Sequence, residues 1–352
     1  MLAMSGGLDS SIAAVLLQQQ GYEVVGITLK FWADDHFLSD KNPDDAINDA
    51  HKIAQQLNIL HVVFDYTQPF KDIVVRNFLD EYINGRTPNP CVLCNVQLKW
   101  KTLMEKAKLL RCSNIATGHY ATVKKQNNRY FISKGKDADK DQSYVLWGLP
   151  QEYLDRTVLP LGNYTKQQVR KIAVKMGFTQ LANKRESYDV CFIPDNDYRS
   201  FLFRHVPNLN ERCPAGNFID KTGKIIGTHK GCPFYTIGQR KGLVVAFGTP
   251  KYVSNINVQT NEIMLGDRED LLSDTLIIKQ YNPMKYEKIP PDFTGEIKIR
   301  YRSKEQSAAV YQHNDGIKIQ FNAPVSAITP GQSAVIYENN DVVGGGIISG
   351  IQ

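Results

Sequence analysis

The chain has 352 residues, 42% of them apolar and 22% charged, with a formal charge of +6; it is a globular protein too long for one ordinary core, and a polyanionic partner is permitted without being required. No secretory leader is expected, and no apolar run is long enough to span a bilayer. Six cysteines in a chain of this size are not a disulfide scaffold; in the cytoplasmic setting this implies, they suggest catalysis or metal binding.

Apolar Met1–Met4 leads into Ser5-Gly6-Gly7-Leu8-Asp9-Ser10-Ser11, after which Ile12, Val15, Leu16 and Gln19 trace one side of a helix over 11–20, capped by Gly21. A buried first strand usually runs about five or six residues, so this short one predicts a sheet edge prone to fray, and the native chain is expected to start a few residues earlier. Residues 22–31 read as the second strand. Pro43 opens a helix in which Ala46, Ile47, Ala50, Ile53, Ala54 and Leu57 recur at helical steps. Residues 60–65 are a third strand, 73–82 and 95–110 two further helices, and 114–120 a strand. Such alternation implies a parallel sheet covered on both faces, with ligands bound beyond the carboxyl ends of its strands. The Ser5–Asp9 loop, Lys30–Trp32 and Gly118-His119 all lie at such ends.

Beyond Tyr120 the pattern changes. Residues 123–133 read as a hairpin turning at Asn127-Asn128, and 164–176 return to helix, closed by Gly177. After about Phe203 the helical period gives way to short strands over 216–226, 251–265, 295–302 and 333–348. Boundaries are expected near 204 and within 272–290, where Asn282-Pro283 and Ile289-Pro290-Pro291 look like linker. The predicted architecture is an α/β domain over 1–203, a central β-rich domain over 204–271 and a C-terminal β-barrel-like domain over 272–352.

The first loop carries nucleotide chemistry. Its glycines let the backbone approach a phosphate, and successive N–H groups at a helix N-terminus form an anion cradle. Ser5, Ser10 and Ser11 add hydroxyls, and Asp9 is suited to hold a divalent metal against pyrophosphate. The spacing fits neither the Walker loop nor GxGxxG. It resembles the PP-loop of ATP pyrophosphatases, which implies cleavage of ATP to AMP and pyrophosphate; taken alone, the motif is also compatible with a plain helix-capping turn.

The second chemical feature is sulfur. Arg86-Thr-Pro-Asn-Pro-Cys-Val-Leu-Cys-Asn95 joins two helices and is stiffened by two prolines. Cys94 is expected at a helix start, where the dipole and free N–H groups lower a thiol pKa. Cys191 lies far away in Ser187-Tyr-Asp-Val-Cys-Phe-Ile193. Inert buried thiols, a zinc site, a redox pair and sulfur chemistry beside an adenylating centre all compete here; a lone CxxC disfavours zinc.

Taken together, the PP-loop, Gly85-Arg-Thr-Pro-Asn-Pro90, Leu93-Cys-Asn95, Gly118-His-Tyr-Ala121, Lys140-Asp-Gln-Ser-Tyr144, Val190-Cys-Phe-Ile193, Tyr235-Thr-Ile-Gly-Gln-Arg-Lys-Gly-Leu243, Arg300-Tyr-Arg-Ser303 and Pro330-Gly-Gln332 resemble, in this order, the tRNA-specific 2-thiouridylases. The resemblance covers essentially the whole chain. It implies ATP-dependent replacement of oxygen by sulfur at C2 of the wobble uridine of tRNA. ATP, with Mg2+ on Asp9, is then bound by Ala3, Met4, Ser5, Gly6, Gly7, Leu8, Asp9, Ser10, Leu29 and Gly118. The extruded base is expected beside Asn89, Pro90 and Cys91. Cys191 matches the persulfide carrier and Cys94 the nucleophile that releases the sulfur by forming a Cys94–Cys191 disulfide. His119, Lys140, Asp141, Gln142, Arg300, Tyr301, Arg302 and Gln332 match tRNA-contacting positions. A cysteine desulfurase or a sulfur-relay protein is the implied donor.

One residue departs from the family pattern. The position of Cys91 is often aspartate, cast as an acid/base group, and a thiol performs that role poorly at neutral pH. Cys91, Cys94 and Cys191 can instead be read as three corners of an iron–sulfur cluster, a reading ranked below the persulfide route. A PP-loop ligase acting on a small acid leaves the cysteines and the β tail unexplained. A non-catalytic RNA-binding protein is at odds with an intact loop. Cys112, Cys213 and Cys232 match no motif and are expected to be structural.

Overall fold

The computed structural model describes residues 1–32, 44–183, 190–193, 195–243, 249–314 and 316–350. Pro43, expected to open a helix, and Ser187–Asp189 of the second cysteine segment lie outside these residues. The N-terminal domain is built on a parallel sheet of β1 (Leu2–Ala3), β2 (Val25–Lys30), β3 (Leu60–Asp65), β4 (Ile115–Ala116) and β7 (Thr157–Val158), in the order β3-β2-β1-β4-β7. β1 is therefore central, not the fraying edge its length suggested. Leu2 is fully buried and faces both Gly26 and Ala116 in register. The ladder is extended by Met4 N–H donating to Ile27 O at 2.8 Å, Ala116 N–H to Met1 O at 2.8 Å and the Met1 ammonium to Asn114 O at 2.8 Å. A central strand flanked on both sides needs few residues of its own to be held.

Apolar side chains leave this sheet alternately to its two faces. Leu2, Met4 and Ala116 meet Ile12, Val15, Ile53 and Val169 from helices Leu8–Gln19, Asp45–Gln56 and Lys166–Lys175. Ile27 and Ile115 meet Trp100 and Leu103 on the other face. Helix Leu8–Gln19 starts earlier than the periodicity predicts and is buried on nearly every side through Leu17, because it is wedged between sheet and helices. Lys166–Lys175 is set by a capping box of Thr165 and Gln168.

Two helices are longer than expected. Residues 67–83 form one continuous helix with a π-turn over Lys71–Val75. Residues 90–109 form another, begun by Pro90 in the first turn and widened into a π-helix over Cys94–Trp100.

β5 (Ala121–Gln126) and β6 (Arg129–Lys134) make the expected hairpin, with Asn127 and Asn128 at φ 49° and 59°, the positive pair a two-residue type I′ turn demands. The central domain is a four-stranded sheet of β8 (Gly216–Ile219), β9 (Ile225–His229), β10 (Tyr252–Asn257) and β11 (Glu262–Gly266). β12 (Leu272–Pro283), β13 (Thr294–Lys298), β14 (Gln306–His313), β15 (Gly316–Ser326), β16 (Ser333–Glu338) and β17 (Asp341–Gly350) close into a six-stranded barrel through the β12–β17 pairing. Asn282-Pro283, expected as linker, instead ends β12 opposite Gly345 and Gly344. Proline is tolerated at a strand end, where its missing N–H costs no ladder bond.

Candidate functional site: a glycine loop and a pair of cysteine segments

The loop between β1 and helix Leu8–Gln19 is tightly specified. Gly6 has φ +66° and packs so closely on the helix over 45–56 that a Cβ would sit 2.1 Å from Ala46 O. Ser10 Oγ accepts from Ser5 N–H at 3.1 Å and lies 3.3 Å from Ser5 Oγ, folding the loop back on the helix start. Ser11 Oγ donates to Gly7 O at 2.8 Å. Gly118, just past β4, abuts this helix start: a Cβ there would lie 3.0 Å from Asp9 C and Ser10 N. Leu29 lies near the carboxyl end of β2. The sheet thus gathers the loop, Leu29 and Gly118 at one end.

Asp9 faces two donors. Lys166 Nζ contacts both of its carboxylate oxygens at 2.8 Å, and Tyr120 OH donates to Oδ1 at 2.7 Å. A single carboxylate is an adequate protein donor for Mg2+ bound mainly through nucleotide phosphates, provided Lys166 yields part of its contact. Lys166 was not singled out by sequence; its position one residue after the Thr165 cap was the available signal.

The sulfur half assembles around aromatic packing. Phe192 is buried against Phe70, Phe78 and Phe201, with ring centroids 5.6, 5.2 and 5.3 Å apart. Cys94 belongs to the same apolar cluster. Anchoring Phe192 draws its neighbour Cys191 toward Cys94, so that the two thiols and Cys91 lie within electrostatic reach of one another. Cys91 and Cys191 are exposed, whereas Cys94 is buried.

The expected low pKa of Cys94 is corrected by this geometry. The helix starts at Pro90, so the Cys94 N–H already donates to Pro90 O and Cys91 O, and the thiol lies a turn inside the helix. Burial pushes it up to about 12, against a smaller opposing pull from Lys99. Although Cys191 keeps an exposed surface, the protein crowding its sulfur raises that thiol as well, with Lys99 again opposing.

Lys99 is the residue the sequence reading missed. Burial alone would lower its pKa, but Cys94, Cys191 and Cys91 together hold its ammonium above the ordinary amine value. The π-widening explains the placement. In an α-helix residues five apart point about 140° apart, whereas i→i+5 bonding brings Cys94 and Lys99 toward one face. A helical spacing rule built on 3.6 residues per turn conceals this pair. Among the described residues, no group of three His, Cys, Asp or Glu side chains is disposed to hold a metal ion, Cys91, Cys94 and Cys191 included.

His119 lies over Trp100 at 5.3 Å, and its Nδ1 meets Thr117 Oγ1 at 2.7 Å. Burial, helped by Lys99, depresses its pKa to about 3, so the ring is neutral. Asp141 is buried, accepting from Gly135 N–H, Ser143 N–H and Ser143 OH. Gln142 Oε1 accepts from Tyr120 N–H. Arg300 bonds to Ala327 O and Thr329 Oγ1. Gln332 Nε2 donates to Thr87 O and Pro88 O, and Asn89 Nδ2 to Ser333 Oγ. Tyr301 and Arg302 are exposed and Lys140 is half-buried. Cys213 and Cys232 are buried; Cys112 is half-buried, with its thiol 3.6 Å from Leu110 O.

Comparison with known proteins matches residues 1–195 to the tRNA methyl transferase HUP domain, 199–267 to the tRNA methyl transferase PRC-barrel domain and 273–348 to the aminomethyltransferase beta-barrel domain. Similar proteins described as tRNA-specific 2-thiouridylase MnmA occur in Amoebophilus asiaticus, at 48% identity over 99% of this chain and 94% of the relative. Those of Cytophaga hutchinsonii and Salinibacter ruber are 47% and 45% identical over 99% of this chain, covering 96% and 93% of the relatives. Among the described residues no helix is long and apolar enough to cross a membrane.

Proposed function

Because the chain belongs to the tRNA-specific 2-thiouridylase family, we propose that it thiolates the wobble uridine of tRNA at C2 and that its own residues divide the work between an activating half and a sulfur half. The observation that carries this reading is that Cys94 and Phe192, the neighbour of Cys191, share one buried aromatic cluster while both cysteines lie within electrostatic reach of Lys99. In the activating half, uracil O2 attacks the α-phosphate of ATP; pyrophosphate leaves and AMP remains on oxygen as a leaving group. The Ser5–Ser10 loop and the adjacent helix start supply N–H and hydroxyl donors to the phosphates, and Lys166 supplies positive charge as the negative charge shifts toward pyrophosphate. Mg2+ held by Asp9 would neutralise phosphate charge.

In the sulfur half, a cysteine desulfurase or relay protein delivers sulfur to the exposed Cys191 as a persulfide. Its terminal sulfur attacks C2 and displaces AMP. The Cys94 thiolate then attacks Cys191 Sγ; the bond from Cys191 to the transferred sulfur breaks, its electron pair forms the C2 thiocarbonyl, and a Cys94–Cys191 disulfide remains for an external thiol to reduce. Lys99 offsets the charge of each sulfur anion. The base enters beside Asn89, Pro90 and Cys91, with His119 as a neutral neighbour and Tyr301, Arg302 and Lys140 toward RNA.

The test measures tRNA-dependent pyrophosphate release and 2-thiouridine by mass spectrometry. Cys191→Ser and Cys94→Ser should each abolish thiolation with a physiological donor while retaining pyrophosphate release. Full sulfur transfer by Cys191→Ser refutes the route.

A further inference from the structure

Two segments from opposite ends of the chain meet at the sulfur site. One is the loop over 85–90 that runs into the Pro90 helix; the other is the turn over 327–333 that joins β15 to β16. Thr87 N–H donates to Pro330 O at 2.9 Å. Gln332 Nε2 donates to Thr87 O at 3.2 Å and Pro88 O at 2.8 Å, and Asn89 Nδ2 to Ser333 Oγ at 3.3 Å. The buried Tyr144 OH donates to Ser333 O at 2.9 Å. Gly331, at φ +90°, comes so close that a Cβ would lie 2.7 Å from Thr87 O.

The turn is itself firmly mounted. Gly331 N–H donates to Ile348 O at 2.9 Å, and Ile348 N–H returns a bond to Gln332 O at 2.8 Å, which fastens the turn to β17. Arg300 braces its base through Ala327 O and Thr329 Oγ1. On the other side, Pro88 and Pro90 lack N–H groups, so the loop cannot pair as a strand and its carbonyls need donors from elsewhere. A primary amide places two N–H groups on one nitrogen, matching two successive carbonyls; a carboxylate of the same shape has only acceptors.

We propose that Gln332 is a positioning residue for sulfur transfer: its amide fixes the Thr87–Pro88 backbone and, through the Pro90 helix start, the places of Cys91 and Cys94. This gives the half-buried Gln332 amide a role within the protein, beyond the RNA contact suggested by family resemblance, and it rests on the sulfur-transfer reading above. The same logic makes Arg300 a support for the turn. Displacement of reacting groups by even an ångström can cost on the order of a hundredfold in rate, so a clamp of this kind acts on the chemical step.

The experiment compares Gln332→Ala and the isosteric Gln332→Glu with the wild-type chain. Three quantities are read: tRNA affinity, the single-turnover thiolation rate at saturating tRNA and ATP, and hydrogen exchange over residues 86–94. The expected result is tRNA affinity within about twofold, a rate lower by roughly ten- to a hundredfold in both variants, and faster exchange over 86–94. Weakened tRNA affinity with an unchanged saturated rate would overturn the proposal, as would unchanged exchange. Should the wild-type chain make no 2-thiouridine, the sulfur-transfer reading fails, and exchange over 86–94 alone then decides whether Gln332 clamps the loop.

Discussion

Burial and charge pull the cysteine thiols in opposite directions, and Lys99 is where the opposition becomes testable. Cys94 sits near 12 because its thiolate is poorly solvated, even with Lys99 counteracting. Removing the ammonium in Lys99→Met deepens the penalty, so the thiolate fraction at a given pH falls and the pH profile of Cys94 and Cys191 alkylation moves to higher pH. Lys99→Arg should largely restore it; coincident wild-type and Lys99→Met profiles would show that the lysine does not act on the sulfurs. The same shift bears on stability. A folded-state pKa raised from 9.0 to about 12 contributes stability that is complete below pH 9 and lost as pH rises toward 12. In alkaline melts Cys94→Ala should lack that part of the decline. Lys99 itself was concealed from sequence reading: its distance of five from Cys94 lands on one face only where the helix widens.

At the scale of elements, the proposed nucleotide site depends on a short strand and two close backbone approaches. Gly118 meets the backbone of Asp9 and Ser10 at the limit of contact. Gly118→Ala should push the loop off its position; overpacking of this kind costs about 1–3 kcal/mol, or roughly five- to 150-fold in KM for ATP measured by pyrophosphate release. A KM within twofold of wild type would mean the loop yields freely. The strand–loop–helix order was legible because glycine chemistry and apolar runs are local signals. The central place of β1 was not, since strand order depends on which neighbours pair across the sheet, and Leu2 pairs with residues from two distant segments. The start of the Pro90 helix was likewise misjudged, and with it the electrostatic setting of Cys94.

For the molecule as a whole, the barrel is joined to the N-terminal domain through a common core. Phe131, Tyr144, Trp147 and Leu149 pack in one cluster with Met284, Val335, Tyr337 and Val342. The β5–β6 hairpin adds to the barrel edge where Ser133 pairs with Asp341, and Lys285, bonded to Glu338 and Asp341, lies 5.2 Å over the Phe131 ring. A chain truncated after Leu271 should therefore expose these apolar side chains, bind a hydrophobic dye and melt at lower temperature than the full chain. An undiminished melting temperature for residues 1–271 would show the two parts to be independent. The turn over 327–333 gives that union a functional side, since it reaches the cysteine loop directly.

Much of this protein was determined by the chain read in order. The alternation of strands and helices, the Ser5–Ser11 loop, the Asn127-Asn128 turn and the paired cysteine motifs are all short-range patterns, and each follows from backbone freedom, apolar period or the chemistry of a few adjacent residues. Tertiary structure alone decided how the halves meet. It drew the Cys191 segment toward Cys94 by burying Phe192, raised the Cys94 thiol by enclosing it, set Lys99 within electrostatic reach of both cysteines and brought Gln332 to the carbonyls of Thr87 and Pro88. These depend on contacts between segments far apart in the chain, whose energies exist only once both surfaces have left water. The opening loop thus carries its pattern in seven adjacent residues, whereas the two cysteine segments meet only through the fold.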